Sequence, residues 1–203
     1  MQRWCRTLLG AGLLILAGCG QRVLVQPQAD MSAYNRIAIL PFETDSFLST
    51  IGHELADEIM VAVLEKAPNV ELVERGKIDD LLQEQQLVRS GYISVDSAVS
   101  VGKLLGVKAI VTGSVAVSIG DIQPTPLSPQ RVATGTATMR FVDVTTGRIL
   151  WAKRAKSEYS SFTQQPDGLA PYNAMTDHEM IQAVIRGLGE QLAQQFYPHY
   201  EIR

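Results

Sequence analysis

The chain has 203 residues, with 18 Lys and Arg against 21 Asp and Glu and a formal net charge of −3. A mildly acidic chain without a run of basic residues offers no electrostatic footprint for a phosphate backbone, which argues against nucleic acid as a partner. The only cysteines are Cys5 and Cys19. Because Cys5 lies in a leader-like segment that is expected to be removed, no disulfide can brace the fold, and core burial must stabilise it.

The first residues have the pattern of a secretory leader. Arg3 and Arg6 supply a positive flank, and residues 8–16 form an almost uninterrupted apolar core that is too short to span a bilayer. The sequence Leu-Ala-Gly-Cys at 16–19 then resembles the lipobox of bacterial lipoproteins. This resemblance implies removal of residues 1–18 and a diacylglycerol thioether on the sulfur of Cys19. The alternative is an ordinary secretory peptide that happens to contain a cysteine.

Lipid attachment at Cys19 would make the membrane the first partner of the chain. A single acyl chain holds a protein only marginally, whereas two hold it firmly. Gly20 stands where bacterial inner-membrane lipoproteins commonly carry Asp, so the same resemblance implies the outer membrane, with the domain facing the periplasm. Residues 19–35 are polar, contain Pro27 and lack a regular period. They are predicted to be a lipidated N-terminus and short tether before a single globular domain at 36–203.

The first half of that domain is predicted to contain its strands and helices in the order βαβαα. Residues 36–42 are a near-continuous apolar run, typical of a strand buried on both faces. Apolar residues at three- and four-residue spacing over 47–64 predict a helix whose buried stripe includes Leu64, and residues 70–73 predict a second strand. A second helix follows around residues 78–85. A third begins at Ser94 or Asp96 and ends at Gly106.

The second half is dominated by strand signals. Residues 108–117 are rich in β-branched side chains, and a loop with Pro124, Pro126 and Pro129 is predicted after them. Residues 132–144 and 148–159 flank Thr145-Thr146-Gly147, which predicts an antiparallel hairpin. A last helix is predicted over about 176–196. The fold class is therefore α/β, a mixed sheet with helices packed over it and an antiparallel hairpin near the C-terminal half.

These elements, in this order, resemble the CsgG-like family, the relatives of the curli-secretion channel lipoprotein. The likeness is carried by residues 37–42, 72–75, 104–114 and 141–151, the last with its Thr-Gly turn between two strands. The resemblance implies an anticodon-binding-like periplasmic domain. Because the channel members of the family are rings, it also implies self-association as one possible state.

The chain departs from the channel members where they donate two long membrane-spanning hairpins per subunit. A membrane strand needs about 9 to 11 alternating residues. Residues 119–131 hold three prolines, and residues 161–177 are short and broken by Pro166 and Pro171. We therefore expect a non-pore member, in which Thr134, Thr136 and Thr138 form the open face of a strand outside the membrane.

The resemblance and the anchor together lead to a functional expectation. We expect a lipid-anchored, non-catalytic cell-envelope protein that acts as an assembly, secretion or structural accessory at the outer membrane. Its partner would be an envelope protein or a second copy of itself, and no small-molecule substrate is expected. The alternative is an activator lipoprotein that docks on a penicillin-binding protein, a peptidoglycan synthase, since lipoproteins of that kind are similar in fold.

Candidate chemical sites in the sequence are weak. His178 lies between Asp177 and Glu179 at a helix start and lacks the second histidine of a metalloprotease site. A solvated helix face explains His53 and its neighbouring carboxylates Glu54, Asp57 and Glu58 better than a cation site does. Gly76-Lys77 and Gly102-Lys103 each lack parts of a phosphate loop. No catalytic residue, cofactor or metal ligand is therefore predicted.

Two surfaces remain as candidates for binding a partner. One is the acidic, glutamine-rich face of the second helix, residues 79–86, for which plain solvation is the simpler interpretation. The other is the aromatic tail, residues 196–200, which could serve an interface or dock back on its own domain.

Overall fold

The computed structural model describes residues 22–28, 30–44, 50–87, 93–125, 128–160 and 175–202. The predicted signal peptide and Cys19 lie outside these residues. The described part holds, in chain order, β1 Arg22–Val25, β2 Arg36–Ile39, α1 Ile51–Lys66, β3 Glu71–Leu72, α2 Arg75–Glu84, α3 Val95–Leu105, β4 Ala109–Thr125, β5 Ser128–Asp143, β6 Ile149–Ser160, α4 Asp177–Ala193 and β7 His199–Ile202.

Five of these strands form one mixed sheet, with the order β3-β2-β4-β5-β6. Strand β2 runs parallel to β3 and β4, while β4, β5 and β6 are antiparallel neighbours. Helices pack over this sheet, so the predicted α/β class is confirmed. The remaining strands, β1 and β7, form a separate two-stranded ribbon.

Strand β2 shows how the sheet divides the core. Ile37 and Ile39 point into a cluster with α1 and α4, whereas Ala38 and Leu40 point into a second cluster with α2 and α3. All four side chains are buried, as the apolar run predicts, because alternate residues of a strand face opposite sides of the sheet.

The helix boundaries follow local signals in the sequence. The Ser94 hydroxyl accepts a hydrogen bond from the Ser97 amide at the start of α3, and Gly106 ends that helix in the left-handed region at φ 64°. Both features were predicted. Helix α1 buries Leu55 and Ile59, but Leu64 is 58% exposed. The prediction that Leu64 belongs to the buried stripe is wrong, because the helix turns that position away from the sheet.

The central hairpin is longer than the sequence indicates. The predicted proline loop is wrong at Pro124 and Pro129, because β4 runs on to Thr125 and β5 begins at Ser128, while Pro126 lies outside the described residues. Pro124 and Pro129 fall in or beside the irregular stretch between the Ile122 and Thr125 pairings. Proline is tolerated there because a bulge or an edge position requires no amide donor in the ladder. The turn between β5 and β6 is as predicted, with Gly147 at φ 70°.

The predicted tether also contains regular structure. Arg22–Val25 forms β1, which pairs antiparallel with β7 in the register Arg22↔Ile202 to Val25↔His199. The prediction of an irregular segment is therefore wrong for these four residues. A strand of four residues is too short for its alternation to be recognised, and its partner lies at the far end of the chain.

Candidate functional site

The β1–β7 ribbon pairs residues 22–25, which lie close after Cys19 in sequence, with the last strand of the fold. Leu24 and Tyr200 are directly opposite each other in its register. Their side chains are 47% and 69% exposed, respectively, the latter being the largest exposed fraction among the exposed large hydrophobic residues of the described chain. The ribbon is thus an exposed, partly apolar surface close in sequence to the predicted lipid site.

The aromatic tail divides between the core and this surface. Phe196 and Tyr197 are buried, and the Phe196 ring packs edge-on against Phe141 and Trp151 at centroid distances of 5.9 and 5.7 Å. These two rings dock back on their own domain, which was one of the two interpretations of the tail. The ring of Tyr200, in contrast, stays exposed.

A second attachment fastens the chain between β1 and β2. The Tyr34 hydroxyl donates to Asp143 Oδ2 at 2.9 Å, and its ring lies edge-on to Phe141. The hydrogen bond from the Thr146 side chain, with further donors, holds the pKa of Asp143 below its usual value. The same Asp143 contact raises the pKa of Tyr34. The segment predicted as a tether is therefore held at both ends.

The histidine and carboxylates on α1 take part in an ion-pair cluster. Arg75 of α2 reaches across to Asp57 of α1 and also lies 3.4 Å from Asp79 on its own helix. The guanidinium additionally donates to the His53 carbonyl at 3.4 Å. Arg75 therefore supplies the positive charge beside Asp57 and Asp79 and joins the two helices.

The two glycine-lysine pairs have structural roles. The Glu74 carboxylate caps α2 by accepting from the amides of Gly76 and Lys77, so the protein's own carboxylate occupies that helix N-terminus. A Cβ at Gly102 would lie 2.6 Å from a methyl group of Val144, so this glycine allows α3 to approach the sheet.

His178 lies beside a complete capping box. The Thr176 hydroxyl accepts from the Glu179 amide, and the Glu179 carboxylate accepts from the Thr176 amide at 2.7 Å. The bond from the Thr176 amide, with a second bond from the Thr176 hydroxyl, holds the pKa of the Glu179 carboxyl below its usual value. The acidic residues here start α4, and within the described ranges no group of three His, Cys, Asp or Glu side chains is placed to hold a metal ion.

One face of the sheet is covered only in part by α2 and α3, and the rest of that face is open. Thr134, Thr136 and Thr138 lie on it and alternate with residues buried under α4, as predicted. In register, Thr136 is flanked by Ala116 and Lys156. A groove of about 340 Å³ runs along Thr136 and Thr138 to Glu43, whose carboxylate accepts from the Ile93 amide at 3.2 Å. None of the described residues that line this groove is His or Cys.

The acidic face of α2 is exposed over residues 83–86. Asp79 at its start takes part in the Arg75 cluster. Its role as a partner surface stays a prediction.

Part of the sequence matches a known family. Residues 24–117, a little under half of the chain, match the family described as the curli production assembly/transport component CsgG. Over this segment the chain is similar to that family. The matched segment runs from β1 through the first half of β4, so it includes the strand that the sequence analysis missed. No curated protein matches the chain.

Solved structures with a similar arrangement are remote in sequence. The PelC dodecamer from Paraburkholderia phytofirmans is 11% identical, with 87% of this chain and 98% of that chain covered and a TM-score of 0.47. Lipoprotein GNA1162 from Neisseria meningitidis is 14% identical, with 78% and 98% covered and a TM-score of 0.46. The LpoB C-terminal domain from Salmonella enterica is 15% identical, with 61% and 82% covered and a TM-score of 0.43.

None of the helices in the described ranges combines the length and apolar content needed to cross a bilayer.

Proposed function

We propose that this protein is a lipid-anchored, non-catalytic accessory of the cell envelope, held at the outer membrane through Cys19 and facing the periplasm. It serves the assembly, secretion or structure of an envelope machine by binding a protein partner or further copies of itself. The family match supports this role at the level of class, since the family is described as an assembly/transport component.

One observation carries the proposal. The strand β1 begins at Arg22, only three residues after the lipobox cysteine, and is paired with β7. An anchor on Cys19 would therefore act on the folded domain itself, with almost no free chain between them. A domain attached in this way is suited to being a fixed component at a membrane surface.

The length of the central hairpin supports a non-pore member. Val132 and Ala133 are buried in the domain and pair with Gly120 and Ile119, so the hairpin extends beyond the covered sheet only over residues 121–125 and 128–131 and the turn between them. About five residues per strand span roughly 17 Å, whereas the hydrocarbon core is about 30 Å thick. The second expected hairpin site, residues 161–177, lies mostly outside the described residues.

The same attachment weighs against the alternative role as a synthase activator. An activator that reaches a distant synthase from the outer membrane needs a long free linker. Here the chain is attached at β1 and again at Tyr34. A partner that itself comes to the membrane remains compatible with this geometry.

Mass spectrometry of the native protein tests the anchor. We expect a mature chain that starts at Cys19 and carries a diacylglyceryl group, found in the outer-membrane fraction. The Cys19→Ala variant should be neither acylated nor held in that fraction. An unmodified Cys19, or a retained leader, would contradict the proposal.

Cross-linking in intact cells tests the accessory role. The acylated protein, purified from cross-linked membranes, should bring down a specific envelope complex or its own oligomers. A matched sample of the Cys19→Ala variant controls for contacts made without the anchor. Recovery of a peptidoglycan synthase as the main partner would favour the activator role. Turnover of a substrate by the purified domain would contradict a non-catalytic protein.

A further inference from the structure

We propose that the outward face of the β1–β7 ribbon, centred on Leu24 and Tyr200, rests against the lipid headgroups of the membrane that holds Cys19. This inference rests on the proposed acylation of Cys19 and goes beyond it. Acylation alone fixes the residue at which the chain is attached. The ribbon contact defines which surface of the domain meets the bilayer.

Chain length brings the ribbon to the membrane. Three residue steps separate Cys19 from Arg22. A fully extended residue spans at most ~3.6 Å, so the first residue of β1 lies within about 11 Å of the acylated residue. The interfacial region of one leaflet is itself about 6 Å thick. The start of the ribbon therefore cannot lie more than a few ångströms beyond the headgroups.

The side chains on the outward face suit a membrane interface. Leu24 and Tyr200 are opposite each other in register, and opposite side chains on one face of an antiparallel pair lie about 5 Å apart. They form one patch, and both are exposed. Transfer of a leucine side chain out of water lowers the free energy. A tyrosine places its apolar ring at headgroup level while its hydroxyl stays hydrated.

The charged residues of the ribbon are also placed in a way that suits contact with a membrane. Arg22 is exposed and lies two residues before Leu24, on the same face of β1. A guanidinium in this position is attracted to anionic headgroups. Glu201 alternates with Tyr200 and therefore faces the other side, where its carboxylate lies 3.4 Å from Nε2 of His199. The outward face thus presents a cation and keeps the acidic group away from the lipid.

Single-cysteine labelling of the acylated, full-length lipoprotein tests the contact. Since Cys19 would be acylated and Cys5 removed with the leader, Leu24→Cys or Tyr200→Cys would supply the one free thiol. Each variant is labelled with an environment-sensitive fluorophore and reconstituted in vesicles of phosphatidylethanolamine with a minority of phosphatidylglycerol. We expect a blue-shifted emission and severalfold stronger quenching by brominated lipids than in the control.

The matched control is Leu104→Cys, an exposed leucine at the end of α3 that is 60% exposed and belongs to another surface. Circular dichroism and vesicle flotation establish that each variant is folded and still anchored. Labels at 24 and 200 that resemble the label at 104, in protein that floats with the vesicles, would overturn the ribbon contact and leave the proposed anchor intact. Failure to float would count against the anchor itself. A blue shift without lipid quenching would mean that a second copy covers the patch, and would also overturn the inference.

Discussion

The two faces of the five-stranded sheet are covered to different extents. On one face, α1 and α4 bury a continuous cluster that runs from Ile37 to Phe196. On the other face, α2 and α3 cover a smaller cluster and leave the rows around Thr136 open. The larger part of the stabilising core therefore lies on one side of the sheet. On the other side, the open rows around Thr136 can change without loss of the fold, and a partner could be accommodated there.

The largest expected effect is at the centre of the covered face. Phe141 is fully buried, stacks on Trp151 at 5.2 Å and meets Phe196 edge-on. Phe141→Ala should lower the free energy of unfolding by about 4 kcal/mol, because it removes a large apolar side chain and leaves a cavity. Urea denaturation measures this loss. Thr138→Ala on the open face is the control and should cost less than about 0.5 kcal/mol. Equal losses would mean that the two faces do not differ.

Neighbouring residues on β5 provide a matched pair for the same comparison. A Cβ at Gly135 would lie 2.4 Å from a methyl group of Val184 on α4, whereas Thr136 is exposed on the opposite face. Gly135→Val should reduce the free energy of unfolding by about 2 kcal/mol through overpacking. Thr136→Val should change it by less than about 0.5 kcal/mol. Melting temperatures that fall alike for both variants would refute the close approach of α4 to the sheet.

The contact between Tyr34 and Asp143 fastens the N-terminal segment at the edge of the covered face. Because the folded-state pKa of Asp143 is lowered, its contribution to stability is complete above the ordinary value of 3.8 and is lost as the pH falls through the folded-state pKa. Asp143→Asn should reduce the free energy of unfolding by about 1 kcal/mol at neutral pH. The difference between variant and wild type should shrink in acid. Urea titrations at neutral pH and near pH 3 measure both values.

An effect of similar size is expected at the start of α4, the helix that covers most of this face. Thr176→Ala removes the side chain that accepts from the Glu179 amide, and a lost N-cap costs about 1 kcal/mol. Thr176→Ser keeps an accepting hydroxyl and is the control. Thermal unfolding followed by circular dichroism should rank Ser close to wild type and Ala below both. Equal stability of all three would mean that the capping box does not form in solution.

Much of the fold could be predicted because its signals are local. The apolar run of β2, the Ser94 and Gly106 caps of α3 and the Gly147 turn each depend on a few adjacent residues. The proline positions misled the prediction because proline excludes a regular ladder but not a bulged one. The ribbon could not be predicted, since the pairing of Val25 with His199 joins residues far apart in sequence and neither strand exceeds four residues.

In the candidate site, too, the features with local signals could be predicted and those that depend on long-range pairing could not. Cys19 follows from a short motif, whereas the exposure of Leu24 and Tyr200 depends on which strand pairs with which. Sequence reasoning did single out the aromatic tail. It could not separate the buried rings of Phe196 and Tyr197 from the exposed ring of Tyr200, because that distinction comes from the path of the backbone after α4.

The pairing of Arg22 with Ile202 also affects the order in which N-terminal maturation and folding take place. The strand β1 cannot pair with β7 until almost the whole chain has been translated, and such long-range closure is slow. A lipid-transferring enzyme acting on Cys19 would therefore meet an extended, unstructured substrate. Maturation of the N-terminus would precede the last step of folding, and that step would take place beside the bilayer.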